Sequence, residues 1–194
     1  MTLIALGVAQ LNILRGQFNN ILENAGTVQE HPNKRLEDAT EDILRRCINL
    51  HKAIIQYVDK LNNLLAFPLF VQYISGCFAI CNTIVRITIL RDSDVTALIG
   101  LGSYTCLIFA QMAIYHWLAN EIIFNSVEVS ESCYISTWYE MDIRHQRSLL
   151  LVMQRSQRPL MIQLYGFIDI SLQSFGVVIR WSYSLFALIK VRYN

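Results

Sequence analysis

Two long apolar stretches, joined by a short polar link, constrain this sequence more than any other feature. The first runs from Leu64 to Leu90 with three strongly polar interruptions, and the second runs from Val95 to Leu118 with Gln111 and His116 near its end. A helix crosses a bilayer with about 20 apolar residues, and each stretch is longer than that. Residues 91–94 leave room only for a tight connection, so we predict a transmembrane helical hairpin.

The two ends of the sequence add further helical segments. Residues 159–190 are long enough for a third span, and Pro159 suits the first turn of a helix. The opening run Met1–Leu14 is too short to span and lacks the basic start and cleavage site of a signal peptide, so we expect the tail of a helix that begins upstream. Lipid tolerates only helices and closed barrels, and no strand-like alternation occurs. We therefore predict an all-α, polytopic membrane helical bundle.

Composition agrees with a membrane protein and excludes several other classes. Hydrophobic residues make up 54% of the sequence and charged residues 16%, below the roughly 25% of soluble domains. The net charge is +1 and no basic block is interleaved with aromatic residues, so we expect no nucleic-acid partner. Metal-ligand spacing, a Ser-His-Asp order and a Gly-rich phosphate loop are all missing. We expect no enzyme, no catalytic residue, no cofactor and no metal site, and we interpret the cysteines as buried reduced thiols.

The distribution of Lys and Arg predicts the orientation, because cytoplasmic connections carry the excess of positive charge. Before the first complete span lie Arg15, Lys34, Arg35, Arg45, Arg46, Lys52 and Lys60, and between the second and third lie Arg144, Arg147, Arg155 and Arg158. Both connections are therefore expected in the cytoplasm. The C-terminus is then expected outside the cell, opposite to the arrangement of G-protein-coupled receptors.

A helical seam precedes the first complete span. Its apolar positions alternate by three and four residues: Leu44, Cys47, His51, Ile54, Val58, Leu61 and Leu65. We predict that the helix of this span continues into the cytoplasm and begins after the break at His31-Pro32. Within the seam, His51 is interpreted as a core residue rather than a ligand.

The last predicted span has a polar side. At 100° per residue, Asp169, Gln173, Arg180 and Ser184 fall within roughly 60° of one another. Polar residues in a membrane helix are costly unless they face water or polar partners. One interpretation is a pore-facing stripe; the other is that Asp169 and Gln173 only tie the helix to the cytoplasmic segments.

Several motifs resemble one family, in the same order and spacing. The segment Tyr115–Ile123, followed by Ser126, Tyr134, Ser136 and Trp138, resembles the most recognisable stretch of insect odorant receptors. Arg155–Leu160, Ser171–Phe175, and then Ser182, Tyr183, Ser184 and Phe186 are similar to the final-helix signature of that family. The resemblance covers essentially the whole chain and implies that the N-terminal half of a receptor is absent.

The resemblance implies an organisation in which four subunits surround one pore, as a heteromer with a shared co-receptor. It implies an odorant-gated cation channel in the plasma membrane of a sensory neuron, surrounded by lipid and gated by small volatile hydrophobic molecules. The implied segments are 1–27, the cytoplasmic end of transmembrane helix 4; 33–90, a cytoplasmic anchor helix continuing into helix 5; 95–128, helix 6 with its cytoplasmic extension; 129–157, anchor helix 7a; and 159–190, pore-lining helix 7b.

Helical spacing and the resemblance together indicate three sets of site residues, and the role of Leu188 comes from the resemblance. The pore and gate set is Arg180, Ser184, Leu188 and Val191, with Leu188 at the hydrophobic constriction. The ligand-pocket set is Cys81, Ile84, Val85 and Thr88 on helix 5, and Leu98, Leu101 and Tyr104 on helix 6. The subunit-anchor set is Leu44, His51, Tyr134 and Trp138, the last two expected on one helical face. For each pocket residue taken singly, ordinary helix packing stays open as the alternative.

Two other functions stay open for the chain. One is a structural or co-receptor-like subunit that assembles the pore without binding ligand. The connection between helices four and five is short, whereas a long insertion is expected there in the co-receptor, and this favours an odorant-tuned subunit. The other is a gustatory-receptor relative, which the Ser182-Tyr183-Ser184 ending disfavours.

Overall fold

The computed structural model describes residues 1–21, 36–89 and 95–193, and these residues are mostly helical. The helices are α1 (Thr2–Asn19), α2 (Leu36–Ile89), α3 (Val95–Ile135), α4 (Ile143–Ser156) and α5 (Leu172–Tyr193). A 3-10 helix lies at Trp138–Glu140. Strands β1 (Gln163–Leu164) and β2 (Ile168–Asp169) form an antiparallel hairpin in which Gln163 pairs with Asp169. The predicted break at His31-Pro32 and the link at 91–94 lie outside the described residues.

The chain divides into two compact units. Unit 1 comprises Met1–Leu61 and Glu121–Met161, and unit 2 comprises Asn62–Asn120 and Ile162–Asn194. The boundary between the units falls near the middle of α2 and near the middle of α3. Each of these two helices therefore contributes one part to each unit. Within the predicted segment 33–90, one helix runs without interruption from Leu36 to Ile89.

Two helices, over Asp38–Ile80 and Val95–Ile135, are long and apolar enough to cross a membrane. Large side chains along them are open to the surroundings: Phe67, Phe78, Ile99 and Leu107 are between 66% and 72% exposed. Contiguous exposed apolar surface on this scale marks contact with lipid or another protein. These two helices correspond to the apolar stretches of the hairpin that the sequence predicts.

The core of unit 1 is built on the predicted seam of α2. Leu44, Cys47, His51, Ile54, Val58 and Leu61 are all buried, as the spacing by three and four residues requires of one helical face. Helix α1 packs closely here: a Cβ on Gly7 would lie 3.4 Å from Cε1 of Tyr57. The Tyr57 hydroxyl donates to the Leu3 carbonyl at 2.7 Å. The seam is therefore confirmed as a core face from Leu44 to Leu61, whereas its last member, Leu65, is half-buried.

In unit 2, α2 and α3 approach closely through small and polar residues. A Cβ on Gly76 would lie 3.3 Å from Sδ of Met112, so the absence of a side chain at this position favours the close approach. Farther along, the Thr83 and Thr105 hydroxyls share a hydrogen bond of 3.0 Å. Each threonine hydroxyl also lies within hydrogen-bond distance of a carbonyl of its own helix. Interfaces with small residues at the contact and hydrogen bonds between hydroxyl groups are typical of helix pairs in membranes.

The last helix begins later than the sequence predicts. Residues 159–171 are not helical, so the expected start at Pro159 is wrong. Ile162, which precedes the hairpin, and Leu164, in its strand β1, are buried. The turn of the hairpin contains Tyr165 and Gly166, with φ of 50° and 73°. Helix α5 begins at Leu172 because Ser171 and Ser174 cap it: Ser171 N–H donates to Ser174 Oγ at 2.9 Å, and Ser174 N–H donates to Ser171 Oγ at 3.2 Å.

The predicted boundary between segments 95–128 and 129–157 also changes. Helix α3 continues to Ile135 rather than ending at 128, and the expected anchor helix over 129–157 is confined to α4 with the short 3-10 helix before it. Ser136 follows the end of α3, and its hydroxyl donates to the Cys133 carbonyl at 2.7 Å. Serine hydroxyls that bond the backbone locally compete with the continuing helix. Helix α3 therefore ends at Ile135, directly before this serine.

Candidate functional site

The polar side of α5 is shorter than the sequence predicts. Gln173, Arg180 and Ser184 are exposed on α5. Asp169 lies in strand β2 instead, where its Oδ1 accepts from Gln163 Nε2 at 2.7 Å. The prediction of a polar stripe is therefore wrong for Asp169, its first member. On α5 the exposed polar residues start at Gln173. The side chains of Leu188 and Val191, the other two pore positions, lie outside the described residues.

The predicted ligand-pocket residues lie on α2 and α3 in unit 2. Leu101 is half-buried and Tyr104 is exposed. The structure does not bring the set together as a described cavity, because the side chains of Cys81, Ile84, Val85, Thr88 and Leu98 lie outside the described residues. A described contact between the two helices near this set is the Thr83–Thr105 hydroxyl pair.

Two members of the predicted anchor set are core residues of unit 1. Leu44 and His51 are buried in the seam of α2. His51 precedes the apolar stretch that begins at Leu64, and burial lowers its pKa, with the Arg155 guanidinium lowering it further. A buried imidazole beside a cation is favoured in its neutral form. His51 therefore acts as a packing residue, in keeping with its interpretation from the sequence.

The other two anchor residues are not on one helical face. Tyr134 is in the last turn of α3, whereas Trp138 begins the 3-10 helix after the break, so the expected shared face is wrong. Tyr134 is 69% exposed and Trp138 is half-buried. Tyr134 borders an open cavity of about 600 Å³ whose apolar walls include Val127, Leu150 and Met153. An exposed tyrosine beside an apolar groove is suited to packing against another protein surface.

A polar network in unit 1 was missed by the sequence reasoning. Arg15 on α1 donates through Nη1 to Asn125 Oδ1 at 2.7 Å and forms an ion pair through Nη2 with Glu128. Asn125 is buried and donates to the Glu121 carbonyl at 2.8 Å. The available signal was that Arg15 is the lone charged residue of α1, since such a charge needs a partner. Asn125 and Glu128 lie 110 or more residues away from Arg15 in sequence.

Within residues 1–21, 36–89 and 95–193, no three His, Cys, Asp or Glu side chains lie close enough together to hold a metal ion. The described geometry instead consists of an exposed polar helix face, apolar helix surfaces and a helical core. A family model described as "7tm Odorant receptor" matches residues 1–183 of this chain. The chain belongs to the 7tm odorant receptor family. Membership confirms the family resemblance that the sequence motifs indicated. It also confirms the expectations of a membrane protein and of a non-enzymatic chain.

Curated odorant receptors are similar over most of the chain. Odorant receptor Or2 of Anopheles gambiae is 30% identical over 151 residues, which cover 78% of this chain and 39% of the relative. Odorant receptor 10 of Aedes albopictus is 28% identical over 188 residues, covering 97% of this chain and 48% of the relative. The chain thus spans less than half the length of these odorant receptors.

Solved structures show the same fold. The insect olfactory receptor OR5 from Machilis hrabei matches with a TM-score of 0.80 and 16% identity, over 96% of this chain and 45% of that one. The same receptor in complex with eugenol matches with a TM-score of 0.74 and 15% identity, over the same shares. The helical membrane fold expected from the sequence is confirmed by this match, apart from the short hairpin of β1 and β2.

Two motifs that carried the odorant receptor resemblance meet in the structure. Ser126 lies on α3 in the first motif, and Leu160 closes the Arg155–Leu160 motif. The buried Ser126 hydroxyl donates to the Ile123 carbonyl at 2.8 Å and accepts the Leu160 N–H at 3.0 Å. The amide after Pro159 thus has a buried partner, which a non-helical segment requires. This bond fixes the chain where it leaves α4.

Proposed function

We propose that the chain is the C-terminal half of an odorant receptor subunit in an odorant-gated cation channel that detects small volatile molecules. The observation that carries this proposal is the family match over residues 1–183. The structural neighbour from Machilis hrabei was solved with eugenol, a small organic molecule, which supports the ligand class. The short connection between α1 and α2 favours an odorant-tuned subunit over a structural one.

In this proposal α5 lines the pore. The helix has a polar side within a largely apolar chain, formed by the exposed residues Gln173, Arg180 and Ser184. Water in the pore satisfies such side chains, whereas lipid does not. Leu188, one turn beyond Ser184, forms the hydrophobic constriction with its counterparts, and Val191 continues the same stripe. A ring of apolar side chains closes a pore by excluding water.

The odorant pocket lies in the outer part of α2 and α3. The pocket set contains five aliphatic or thiol side chains with one threonine and one tyrosine, a mostly apolar lining with few polar groups, which suits a small volatile molecule. Tyr104 supplies the hydroxyl that orients the ligand. The exposed apolar faces of α2 and α3 elsewhere contact membrane lipid.

Unit 1 is the assembly region of the subunit. Tyr134 and the apolar groove beside it are available for the co-receptor in a heterotetramer, and half-buried Trp138 in the 3-10 helix offers a second aromatic side chain. Leu44 and His51 belong to the buried core of the same unit. The positive charge of the connections favours a cytoplasmic unit 1 and a C-terminus outside the plasma membrane of the sensory neuron.

The test is electrical, and it uses the full-length receptor that contains this sequence because the pocket also needs the remaining helices. Cells that express the receptor with the co-receptor are exposed to a panel of small volatile molecules under voltage clamp. We expect at least one to evoke a cation current that is absent with the co-receptor alone. A receptor that reaches the surface with the co-receptor and gives no current across the panel contradicts the proposal.

A further inference from the structure

His116 is the most deeply buried ionisable side chain of unit 2 among the described residues. It lies on α3, it is 2% exposed, and its ring is surrounded by residues of three helices. Tyr73 on α2 lies on one side, with ring centroids 5.8 Å apart. Phe175 on α5 lies near it as well, with ring centroids 5.2 Å apart and ring planes at 42°. One imidazole therefore contacts both α2 and the first turn of α5.

The hydrogen bonds of His116 define its tautomer. Nδ1 lies 2.8 Å from the Met112 carbonyl, and a carbonyl oxygen only accepts, so Nδ1 carries the proton. In a neutral imidazole the other nitrogen is then an acceptor. Nε2 lies 3.2 Å from the Tyr73 hydroxyl, so the tyrosine donates to it. The ring is held to its own helix at one nitrogen and to α2 at the other, which fixes its plane against Phe175.

Phe175 sits at a defined place on α5. It follows the reciprocal Ser171–Ser174 cap, and its own amide donates to the Ser171 carbonyl at 3.1 Å. The first turn of α5 is thus held in place where it meets the imidazole. A movement of α2 or α3 that displaces His116 has to displace this turn or break the aromatic contact.

We propose that His116 is a positioning residue that couples helices α2 and α3 to the pore helix α5 during gating, with Tyr73 and Phe175 as its two contacts. This inference rests on the proposed channel function. Odorant binding alters α2 and α3, and the Tyr73–His116–Phe175 chain of contacts carries that change to the first turn of α5. A contact biases gating only through the difference in its strength between the closed and open states.

Tyr73→Phe removes the hydrogen bond to His116 without removing a ring. In the full-length receptor with its co-receptor, Tyr73→Phe should shift the odorant concentration for half-maximal current roughly fivefold, the factor that one net hydrogen bond supplies. A shift to lower concentration with more basal current means that the bond stabilises the closed state; a shift to higher concentration means that it stabilises the open state. Currents are divided by surface-labelled receptor, so a change in expression alone does not move this measurement.

A double-substitution cycle separates coupling from packing. His116→Phe keeps a ring between Tyr73 and Phe175 but removes the acceptor, so Tyr73→Phe should add no further shift in that background. If His116→Phe does not reach the surface, Phe175→Leu takes its place, and its shift should be non-additive with that of Tyr73→Phe. The control is Ser75→Ala on α2, where an exposed hydroxyl donates only to the Gln72 carbonyl of its own helix. It should leave the half-maximal concentration unchanged.

The outcomes distinguish the inference from the function on which it rests. No odorant current in the unsubstituted receptor contradicts the channel proposal. A normal current whose half-maximal concentration is the same for Tyr73→Phe and Ser75→Ala, or whose shifts add independently, overturns the coupling role of His116 and leaves the channel proposal intact.

Discussion

Leu188→Ser should strongly raise the current that flows without odorant. In the proposed pore, closing packs Leu188 against its counterparts and excludes water. Burial of a leucine side chain is worth about 2 kcal/mol. Its loss corresponds to about a thirtyfold change in the ratio of open to closed channels. The measurement is basal current in the full-length receptor with the co-receptor, normalised to surface receptor.

The control for this change keeps the constriction apolar. Leu188→Ile conserves volume and hydrophobicity, so its basal current should stay near that of the unsubstituted receptor. Tyr104→Ala, in the proposed pocket, should shift odorant potency without altering ion selectivity. Unchanged basal current in Leu188→Ser together with altered selectivity in Tyr104→Ala would mean that the pore and pocket assignments are both wrong.

Arg15→Met should reduce the amount of receptor at the cell surface several-fold. The change leaves Glu128 without its cation and the buried Asn125 Oδ1 without its strongest donor. Breaking a buried pair costs about 3 to 5 kcal/mol, but both side chains here are partly exposed, so about 2 kcal/mol is expected. A loss of this size changes cellular abundance several-fold. Surface labelling of the full-length receptor measures it.

Two companion variants identify the cause. Arg147→Met removes a guanidinium that is exposed on α4, and it should leave the surface level unchanged. Adding Glu128→Met to Arg15→Met removes the stranded carboxylate, and it should restore much of the loss, because replacing both charges by apolar groups is far less costly than removing one. Equal surface levels for Arg15→Met and Arg147→Met would show that the network contributes nothing to stability.

Local patterns explain which parts of the fold could be predicted. The seam of α2 repeats every three to four residues, so the spacing from Leu44 to Leu61 is enough to identify both the helix and its buried face. The two long apolar stretches likewise required helices. Both signals act within one element and need no knowledge of distant residues.

The hairpin and the start of α5 could not be predicted from the same signals. Ile162, Leu164 and Ile170 are buried apolar residues, so hydropathy alone makes residues 159–190 resemble one continuous span. The features that interrupt it are short: the turn at Tyr165-Gly166 and the Ser171–Ser174 cap. Averaging over a membrane-length window hides signals of two to four residues.

The candidate site shows a second limit. Arg15 and Asn125 are 110 residues apart, and a single sequence contains no signal that pairs them. Tyr73, His116 and Phe175 come from three different helices, so their meeting depends on tertiary packing. The pore and pocket positions came from helical spacing and from the family resemblance, and all of them stay predictions.

The proposal that α5 lines a cation pore is tested most directly by the accessibility of Ser184. Ser184→Cys in the full-length receptor with the co-receptor is exposed to a positively charged, membrane-impermeant thiosulfonate during odorant application. We expect the attached cation to stop the odorant-evoked current by occluding the pore and repelling permeant cations. The unsubstituted receptor, and Ser75→Cys on α2, should keep their currents under the same reagent. A Ser184→Cys receptor that conducts undiminished throughout the reagent pulse would contradict the pore assignment.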